Sequence, residues 1–251
     1  MCVLALAWRA HPRWQLVVAG NRDEFHSRPA APLARWTDRM HILAGRDLES
    51  GGTWLGISEH GRFVVITNMR GFGPPAPGRR SRGALVTDLL DGADPSELPL
   101  EPYNPCNLIA IEGDRARFLS NRPATLRTDL DAGLFGLSNG ALDEPWPKTL
   151  RLKSVLLTWL LGAADAPEAL FDGLREETLP PIGIDAATPS DIAQEPPHSP
   201  IFIRDPVYGT RCSSVVAIDR DGVGLFIERR YTPTAEIAGE TRLSFAWPVR
   251  T

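Results

Sequence analysis

The chain has 251 residues, of which 43% are hydrophobic and 23% are charged, as in an ordinary folded globular protein. Its formal net charge of −4 argues against general nucleic-acid binding, because no basic excess is available to neutralise phosphates. The three cysteines are an odd number without a close pair, which argues against a disulfide framework and against a zinc site.

The first predicted strand begins with Cys2, directly after the initiator methionine. If Met1 is removed, Cys2 carries both a thiol and a free α-amine, whose ordinary pKa of about 8 suits a general base near neutral pH. A thiolate is a strong nucleophile, so this one residue is the minimal catalytic unit of an N-terminal-nucleophile hydrolase. The alternative is that Cys2 merely begins a buried strand.

The apolar run after Cys2 is short, has no charged segment before it and meets Arg9, which is unlike a signal peptide. The longest later apolar stretch, residues 155–164, is too short to span a membrane. We therefore expect a cytoplasmic protein without an integral membrane segment. The length suits a single domain over residues 1–251.

Two apolar segments, residues 2–8 and 14–20, predict an antiparallel hairpin that turns at residues 11–13. The second segment runs into the polar residues 21–24, Asn-Arg-Asp-Glu. Asn and Asp favour a turn, because their side chains bond nearby backbone groups. Adjacent strands lie about 5 Å apart, so the same residues would also return polar groups to the neighbourhood of Cys2. The two interpretations are compatible.

Residues 27–41 are punctuated by prolines and predict a loop, after which residues 51–58 and 62–68 predict two further strands. The second of these ends at Asn68. The amide N–H₂ of an asparagine can stabilise an oxyanion, although capping of a strand end is the simpler interpretation.

A loop rich in glycine and proline follows and contains Arg70, Arg79, Arg80 and Arg82. These guanidinium groups suit a ligand carboxylate or phosphate. The alternative is a solvated charged loop. Residues 81–91 then have leucines at helical spacing behind a serine, which predicts a helix.

The rest of the chain predicts strands separated by two helices. The predicted strands cover residues 106–112, 115–120, 134–139, 208–219, 224–229 and 241–247, and the predicted helices cover residues 146–161 and 167–177. The proline-rich residues 179–206 predict an irregular segment, such as a lid or a surface wrap. No metal-ligand spacing or phosphate-binding glycine pattern is present.

This order of elements, without regular alternation of strand and helix, indicates an α+β fold with antiparallel sheets. Strands that are apolar throughout fit sheets covered on both faces. A four-layer αββα sandwich, with two antiparallel sheets between helix layers, satisfies both observations.

Several separated motifs occur together and in order, and by them the chain is identified as a member of the NRDE family. They are Met1-Cys2, Ala19-Gly20-Asn21-Arg22-Asp23-Glu24-Phe25, Gly51-Gly52-Thr53-Trp54-Leu55-Gly56, Thr67-Asn68, Gly136-Leu137-Ser138-Asn139 and Tyr208-Gly209-Thr210-Arg211. This family is also called the transport and Golgi organization protein 2 family. It is similar, more distantly, to cysteine N-terminal-nucleophile hydrolases such as bile salt hydrolases and penicillin V acylases.

The resemblance implies the αββα fold with Cys2 heading a central strand. It implies an oxyanion-hole role for Asn68, a role for Asn139 in fixing the nucleophile's amine or the substrate, and a place near the thiol for Arg211. In those hydrolases an arginine directly follows the glycine of the second strand and an aspartate follows three residues later. Here the charges after Gly20 are shifted in register, and a shift of one residue reverses the face that a strand side chain occupies.

The leading hypothesis is therefore a hydrolase of an amide or related acyl bond in a small molecule. Its catalytic residues would be Cys2, Asn68, Asn139, Arg211 and Asp23. We assign Asn21, Arg22, Glu24, Trp54 and Arg70 to substrate binding. No metal or organic cofactor is required. The alternative, implied by the family, is a non-catalytic haem or lipid (acyl-CoA) binding and trafficking protein, for which the basic loop would receive propionates or phosphates.

Overall fold

The computed structural model of the chain describes residues 2–178 and 200–249. Within them lie thirteen strands and three α-helices. The strands are Cys2–Trp8 (β1), Trp14–Phe25 (β2), Ala30–Arg35 (β3), Ile42–Asp47 (β4), Leu55–Ser58 (β5), Arg62–Asn68 (β6), Cys106–Glu112 (β7), Arg115–Ser120 (β8), Leu126–Leu130 (β9), Gly133–Leu137 (β10), Tyr208–Asp219 (β11), Val223–Tyr231 (β12) and Ile237–Ala246 (β13). The helices are Arg82–Leu90 (α1), Pro147–Leu161 (α2) and Leu170–Leu174 (α3), and a 3₁₀ turn, Pro167–Ala169, precedes α3.

The strands form two antiparallel sheets. The first sheet has the order β10-β1-β2-β11-β12-β13, so that β1 and β2 are central strands. The second sheet has the order β3-β4-β5-β6-β7-β8-β9, in which every strand pairs with its neighbours in sequence. Among the described residues, the pairings most distant in sequence belong to the first sheet, where β1 lies beside β10 and β2 lies beside β11.

Three apolar layers hold the sheets and helices together. Side chains from both sheets, such as Leu4, Val18 and Phe63, fill the space between the sheets. The outer face of the first sheet packs against α2 and α3, and the outer face of the second sheet packs against α1. The predicted four-layer αββα sandwich is therefore confirmed.

Strand alternation explains why β1 is buried along its whole length. Leu4, Leu6 and Trp8 point between the sheets, whereas Val3 and Ala5 point towards α2. This uniform burial fixes the position of Cys2 at the end of a rigid central strand.

Helix α2 begins at Pro147, where a fixed φ and a missing N–H suit the first helical turn. Its residues Leu152, Leu156 and Leu160 recur every four positions and form the buried face. The helix approaches β10 closely at Gly136, where a Cβ atom would lie 2.4 Å from Cγ2 of Thr149. A side chain at this position would therefore displace the helix from the sheet.

The strands and helices predicted around residues 2–20, 51–68, 81–91, 106–120 and 146–161 are confirmed. Three other predictions need correction, and the strands β4 and β9 were not predicted. Residues 21–25 continue β2 instead of turning, and the predicted loop at 27–41 contains β3. The helix predicted for residues 167–177 consists of the 3₁₀ turn followed by the single turn of α3.

The predicted irregular segment at 179–206 lies mostly outside the described residues, and its residues 200–206 contain no helix or strand. In the part of the chain that the structure describes, no helix combines the length and the apolar character needed to cross a membrane.

Candidate active site

A cavity of about 430 Å³ opens between the two sheets, at the end where β1 begins and β6 ends. This volume is within the range of small-molecule sites. Seven of the ten predicted site residues line it: Cys2, Arg22, Asp23, Glu24, Trp54, Asn68 and Arg211. The folded chain therefore brings together residues from β1, β2, β6 and β11 and from the segment before β5.

Cys2 is the first residue of β1, and only 8% of its surface is exposed. Strand pairing places Cys2 opposite Arg22, Arg22 opposite Cys212, and Cys212 opposite Arg230. Thiols and guanidinium groups thus alternate across four neighbouring strands, and all four residues line the cavity.

Burial raises the pKa of the Cys2 thiol above its ordinary value, and the negative charge of Asp23 raises it further. The positive charge of Arg22 and a hydrogen bond from the Asp23 backbone N–H favour the thiolate. Because burial is the largest of these influences, the thiol needs a base at close range to act as a nucleophile near neutral pH.

Asn68, the last residue of β6, is exposed and belongs to the cavity lining. Asn139 is buried, and its Nδ2 donates a hydrogen bond to the backbone carbonyl of Asn68 at 2.7 Å. The neighbouring Ser138 donates from its hydroxyl to the backbone carbonyl of Cys2 at 2.8 Å. Asn139 itself does not line the cavity. Its contacts suit a residue that positions Asn68.

Because β2 continues through residues 21–25, the side chains of these residues alternate between the two faces of the sheet. Asn21 lies on the helix-covered face and not in the cavity. Its Nδ2 donates to the carbonyls of Leu174 and Ile201, both at 2.8 Å, and its Oδ1 accepts a hydrogen bond from Ser213 at 2.6 Å. The assignment of Asn21 to substrate binding therefore needs correction, because the whole amide is engaged in joining β2 to α3 and β11.

Asp23 is buried, and its Oδ1 accepts a hydrogen bond from the hydroxyl of Thr210 at 2.7 Å. The phenol of Tyr208 donates to the backbone carbonyl of Asp23 at 3.0 Å. These contacts fix Asp23 beside the beginning of β1.

Arg22 and Glu24 point towards the cavity, as alternation requires. Arg22 lies 3.6 Å from Asp47 and 3.8 Å from Glu24, which are distances of ion pairing without a hydrogen bond. Arg22 therefore keeps donors for a ligand.

Arg211 is the extra residue of a β-bulge, because β11 shifts register against β2 between Thr210 and Cys212. Its guanidinium donates to the carbonyls of Phe25 and Arg28, at 2.6 and 2.9 Å. Burial, followed by the nearby positive charge of Arg22, lowers the pKa of Arg211. The bulge thus places an additional cation at the cavity wall.

Trp54 covers Gly20, where a Cβ atom would lie 3.4 Å from the indole and 2.9 Å from Cβ of Leu4. A side chain at position 20 would therefore clash with Leu4 of β1, whereas its contact with the indole would be an ordinary one. Arg70 was predicted to bind substrate, but it lines a different cavity. Its backbone N–H donates to the carbonyl of Asn139 at 2.9 Å.

The cavity has an excess of positive charge although the chain has a net charge of −4. Eight arginines line it, against four acidic residues. Arg79, Arg80 and Arg82 of the basic loop are among them, and Arg79 and Arg82 donate to the backbone carbonyls of residues 101 and 105. Within residues 2–178 and 200–249, neither Arg79 nor Arg82 has a carboxylate partner. A ligand with a carboxylate or phosphate suits this lining.

Sequence reasoning missed several residues of the site, among them Cys212, Glu228 and Arg230. Glu228 is buried, accepts a hydrogen bond from the N–H of Leu33 at 2.8 Å, and lies 3.4 Å from Arg230. Burial raises the pKa of its carboxyl. One sequence signal could have revealed Glu228. It is a charged residue on the same strand face as Phe226, an apolar core residue.

Comparison with known proteins gives matches over most of the chain. Residues 1–233 match the family model described as transport and Golgi organisation 2. The transport and Golgi organization protein 2 homolog of Bos taurus is 32% identical over 261 residues, which cover 91% of this chain and 92% of the relative. The homolog of Homo sapiens is 32% identical over 257 residues, with the same coverage of 91% and 92%.

Among solved structures, the chain resembles the C2A mutant of the conjugated bile acid hydrolase from Clostridium perfringens, with a TM-score of 0.54. The likeness covers 96% of this chain and 92% of the hydrolase, at 8% sequence identity. The two proteins therefore share a fold.

Proposed function

The chain belongs to the transport and Golgi organisation 2 family, and from this premise we propose that it is an N-terminal-cysteine hydrolase. Its substrate is a small molecule with an amide or related acyl bond and an anionic group. The observation that carries the proposal is the cavity that Cys2 shares with Asn68 and with eight arginines. The fold shared with a hydrolase supports it.

In the proposed reaction, removal of Met1 frees the α-amine of Cys2, which takes the proton from the thiol. The thiolate attacks the substrate carbonyl carbon, and Nδ2 of Asn68 donates a hydrogen bond to the oxyanion. The carbon–nitrogen bond then breaks, and the ammonium of Cys2 gives its proton to the leaving amine. Water attacks the resulting thioester, which releases the acid and restores the thiol.

The positive lining of the cavity suits the recognition of an anionic substrate. Arg79 and Arg82 have donors that face no carboxylate of the described chain. Arg22 and Arg211 add positive charge on the β2 side of the cavity. An anionic group on the substrate would be held by these residues while the scissile bond lies over Cys2.

Intact mass spectrometry tests the first step, because the mechanism requires a mature chain that begins at Cys2. The second test measures glycine released from N-acylglycines with short, medium and long acyl chains. Cys2→Ala should abolish turnover, and Asn68→Ala should lower kcat by about 10²–10³, as expected for loss of an oxyanion donor. Cys106→Ser, outside the cavity, is the matched control. A catalytically active chain that retains Met1, or unchanged turnover by Cys2→Ala, would overturn the assignment.

A second candidate function is non-catalytic binding of haem or of a lipid such as an acyl-CoA, which the basic cavity favours. Haemin and a long-chain acyl-CoA would then bind saturably to wild-type protein and equally to Cys2→Ala, without release of any acyl group. Combining Arg79→Gln with Arg82→Gln should weaken binding, and more so at low salt, where charge interactions are less screened. Arg127→Gln is the control, because Arg127 also donates to backbone carbonyls but lies outside the cavity. Absence of saturable binding would exclude this function.

A further inference from the structure

In the part of the chain that the structure describes, the two sheets end at four edge strands, which are β10, β13, β3 and β9. Asp143 closes the edge of β10, because it bonds both the N–H and the carbonyl of Gly136, at 2.7 and 2.9 Å. Strand β3 contains Pro32 and gives the N–H of Leu33 to Glu228, and β9 has only five residues. Strand β13 has ten residues and contains no proline. It is therefore the edge best suited to pairing with another strand.

The pairing of β13 with β12 determines which of its backbone groups face outward. The two strands pair without a bulge from Gly239 to Ala246, and the N–H of Trp247 continues this ladder by donating to the carbonyl of Gly222 at 2.8 Å. Because backbone groups alternate in direction along a strand, the odd-numbered residues bond β12 and the even-numbered residues face the free edge. The outward-facing residues are Glu240, Arg242, Ser244 and Ala246, and all four are exposed.

This edge is open to another strand. Among residues 2–178 and 200–249, no hydrogen-bond partner reaches the outward N–H and carbonyl groups of these four residues. Edge strands are commonly protected against pairing by proline or by charged side chains, especially lysine. The two charged residues of β13, Glu240 and Arg242, have opposite signs and lie two places apart, so their side chains share one face of the sheet. Opposite charges in this arrangement can match those of a second copy of the same strand.

Only one register of two such strands pairs these charges. Two copies that pair through the same strand are related by a two-fold axis, so the strands run antiparallel. The outward-facing residues must lie opposite one another, which places the axis at a residue of β13 and not between residues. An axis at Glu240 or at Arg242 would set that charge opposite itself, which is destabilising. An axis at Thr241 sets Glu240 opposite Arg242 of the second copy, and symmetry forms the pair twice.

The ion pairs within each chain extend this match. Arg229 of β12 lies opposite Glu240 and bonds it at 2.5 Å, and Arg242 bonds Glu168 of the 3₁₀ turn. Across the paired strands, the charges would alternate in the order Arg229, Glu240, Arg242 and Glu168, with the last two from the second copy. Each charge in this row therefore has neighbours of opposite sign.

We propose that β13 binds a second copy of this chain by antiparallel strand pairing about a two-fold axis at Thr241. The first sheets of the two copies join into one continuous sheet. The backbone groups of Glu240 and Arg242 form the central hydrogen bonds of the interface, and their side chains form its ion pairs. This homodimer does not depend on the proposed hydrolase activity.

Analytical ultracentrifugation over a concentration series measures the dissociation constant of the dimer. Glu240→Arg and Arg242→Glu should each weaken dimerisation by about tenfold or more, because the two-fold axis sets like charges opposite one another twice. An equimolar mixture of the two variants should recover most of the lost affinity, because arginine faces glutamate at both positions of the heterodimer. Mixing cannot repair the pairs with Arg229 and Glu168 inside each chain, so this recovery separates an interface from an effect on the fold. Asp129→Arg, a charge reversal at a 75% exposed side chain of the edge strand β9, should leave the dissociation constant unchanged.

Thr241→Cys tests the register. Residues opposite each other at the axis have Cα atoms about 4.5 Å apart, within the range of a disulfide, so copper phenanthroline should link the introduced cysteines, as peptide mass spectrometry detects. Glu240→Cys is the comparison, because its two introduced cysteines lie on either side of the axis and out of reach. Faster cross-linking of Glu240→Cys than of Thr241→Cys would overturn the register. A wild-type chain that stays monomeric throughout the series would overturn the proposal, as would a dimer that neither charge reversal weakens or a mixture without recovery.

Discussion

Nδ2 of Asn139 donates a hydrogen bond of 2.7 Å to the backbone carbonyl of Asn68, and this contact joins the end of β6 to the segment that follows β10 of the other sheet. The carbonyl of Asn139 also accepts the N–H of Arg70 at 2.9 Å, so the two segments are bonded in both directions. The first sheet is further tied to this point by Ser138, which donates to the carbonyl of Cys2. The position of Asn68 relative to Cys2 therefore depends on Asn139.

Asn139→Leu removes the donor while keeping a side chain of similar size. We expect a loss of about 1–3 kcal/mol in the free energy of unfolding, because a partly buried carbonyl loses its partner. Urea denaturation followed by fluorescence measures this quantity. Asn104→Leu is the control, since the amide of Asn104 bonds Ala76 in an exposed loop, and a loss below about 0.5 kcal/mol is expected there. Equal losses of unfolding free energy in the two variants would show that the contact between the sheets stabilises the protein no more than the exposed contact of Asn104.

Glu228 connects the two sheets by accepting the N–H of Leu33, and burial raises the pKa of its carboxyl. The positive charges of Arg230 and Arg22 act in the opposite direction but are weaker than the effect of burial. A raised pKa means that the folded state holds this proton at pH values where the unfolded chain has released it. The contribution to stability is therefore complete below the ordinary pKa of a glutamate and is lost as the pH rises through the raised pKa.

Glu228→Gln keeps the acceptor for Leu33 and removes the titration. We expect the wild type to lose free energy of unfolding relative to this variant as the pH rises above the ordinary pKa of a glutamate. Urea unfolding of both proteins across a pH series gives the difference directly. Glu97→Gln, at an exposed position, should follow the wild type at every pH. A constant difference between Glu228→Gln and the wild type would mean that Glu228 does not titrate in this range.

The sequence predicted the layers of the fold because apolar runs and their breaks are local signals. Strand β1 could be recognised from its unbroken apolar residues, and α2 from its leucine spacing. The proline-containing strand β3 and the polar strand β9 lack such signals and are stabilised by pairing with a neighbouring strand. Propensity alone does not reveal strands of this kind.

Within the candidate site, the sequence left open whether residues 21–25 turn or continue the strand β2. Three apolar runs end at Asn21, Asn68 and Asn139, and all three residues were predicted to serve the site. Because β2 continues as a strand, Asn21 shares the face of Val17 and Ala19 and packs on the helix layer. Two features of the structure could not be predicted from local sequence patterns. One is the bulge at residue 211. The other is the pairing of β2 with β11, which brings Cys212, Glu228 and Arg230 to the cavity.

Asp23 and Arg22 act on the Cys2 thiol in opposite directions. Burial raises the pKa of the thiol most strongly, the carboxylate of Asp23 raises it further, and Arg22 lowers it. Asp23→Asn removes the negative charge and keeps an acceptor for the hydroxyl of Thr210. Because a nearby negative charge opposes thiolate formation, this variant should have a lower pKa at Cys2 and faster alkylation at a fixed pH below that pKa.

Arg22→Gln should move the Cys2 pKa the other way and slow the alkylation, which makes the two variants a matched pair of opposite sign. The measurement is the pH dependence of iodoacetamide labelling, with the Cys2 peptide quantified by mass spectrometry so that Cys106 and Cys212 do not contribute. Asp129→Asn, whose side chain is 75% exposed on β9, should leave the profile unchanged. If both Asp23→Asn and Arg22→Gln moved the profile in one direction, altered access to the thiol would explain the result instead of charge. A lower labelling midpoint for Asp23→Asn together with a higher one for Arg22→Gln would show that these two charges of β2 contribute to the reactivity of Cys2 in opposite directions.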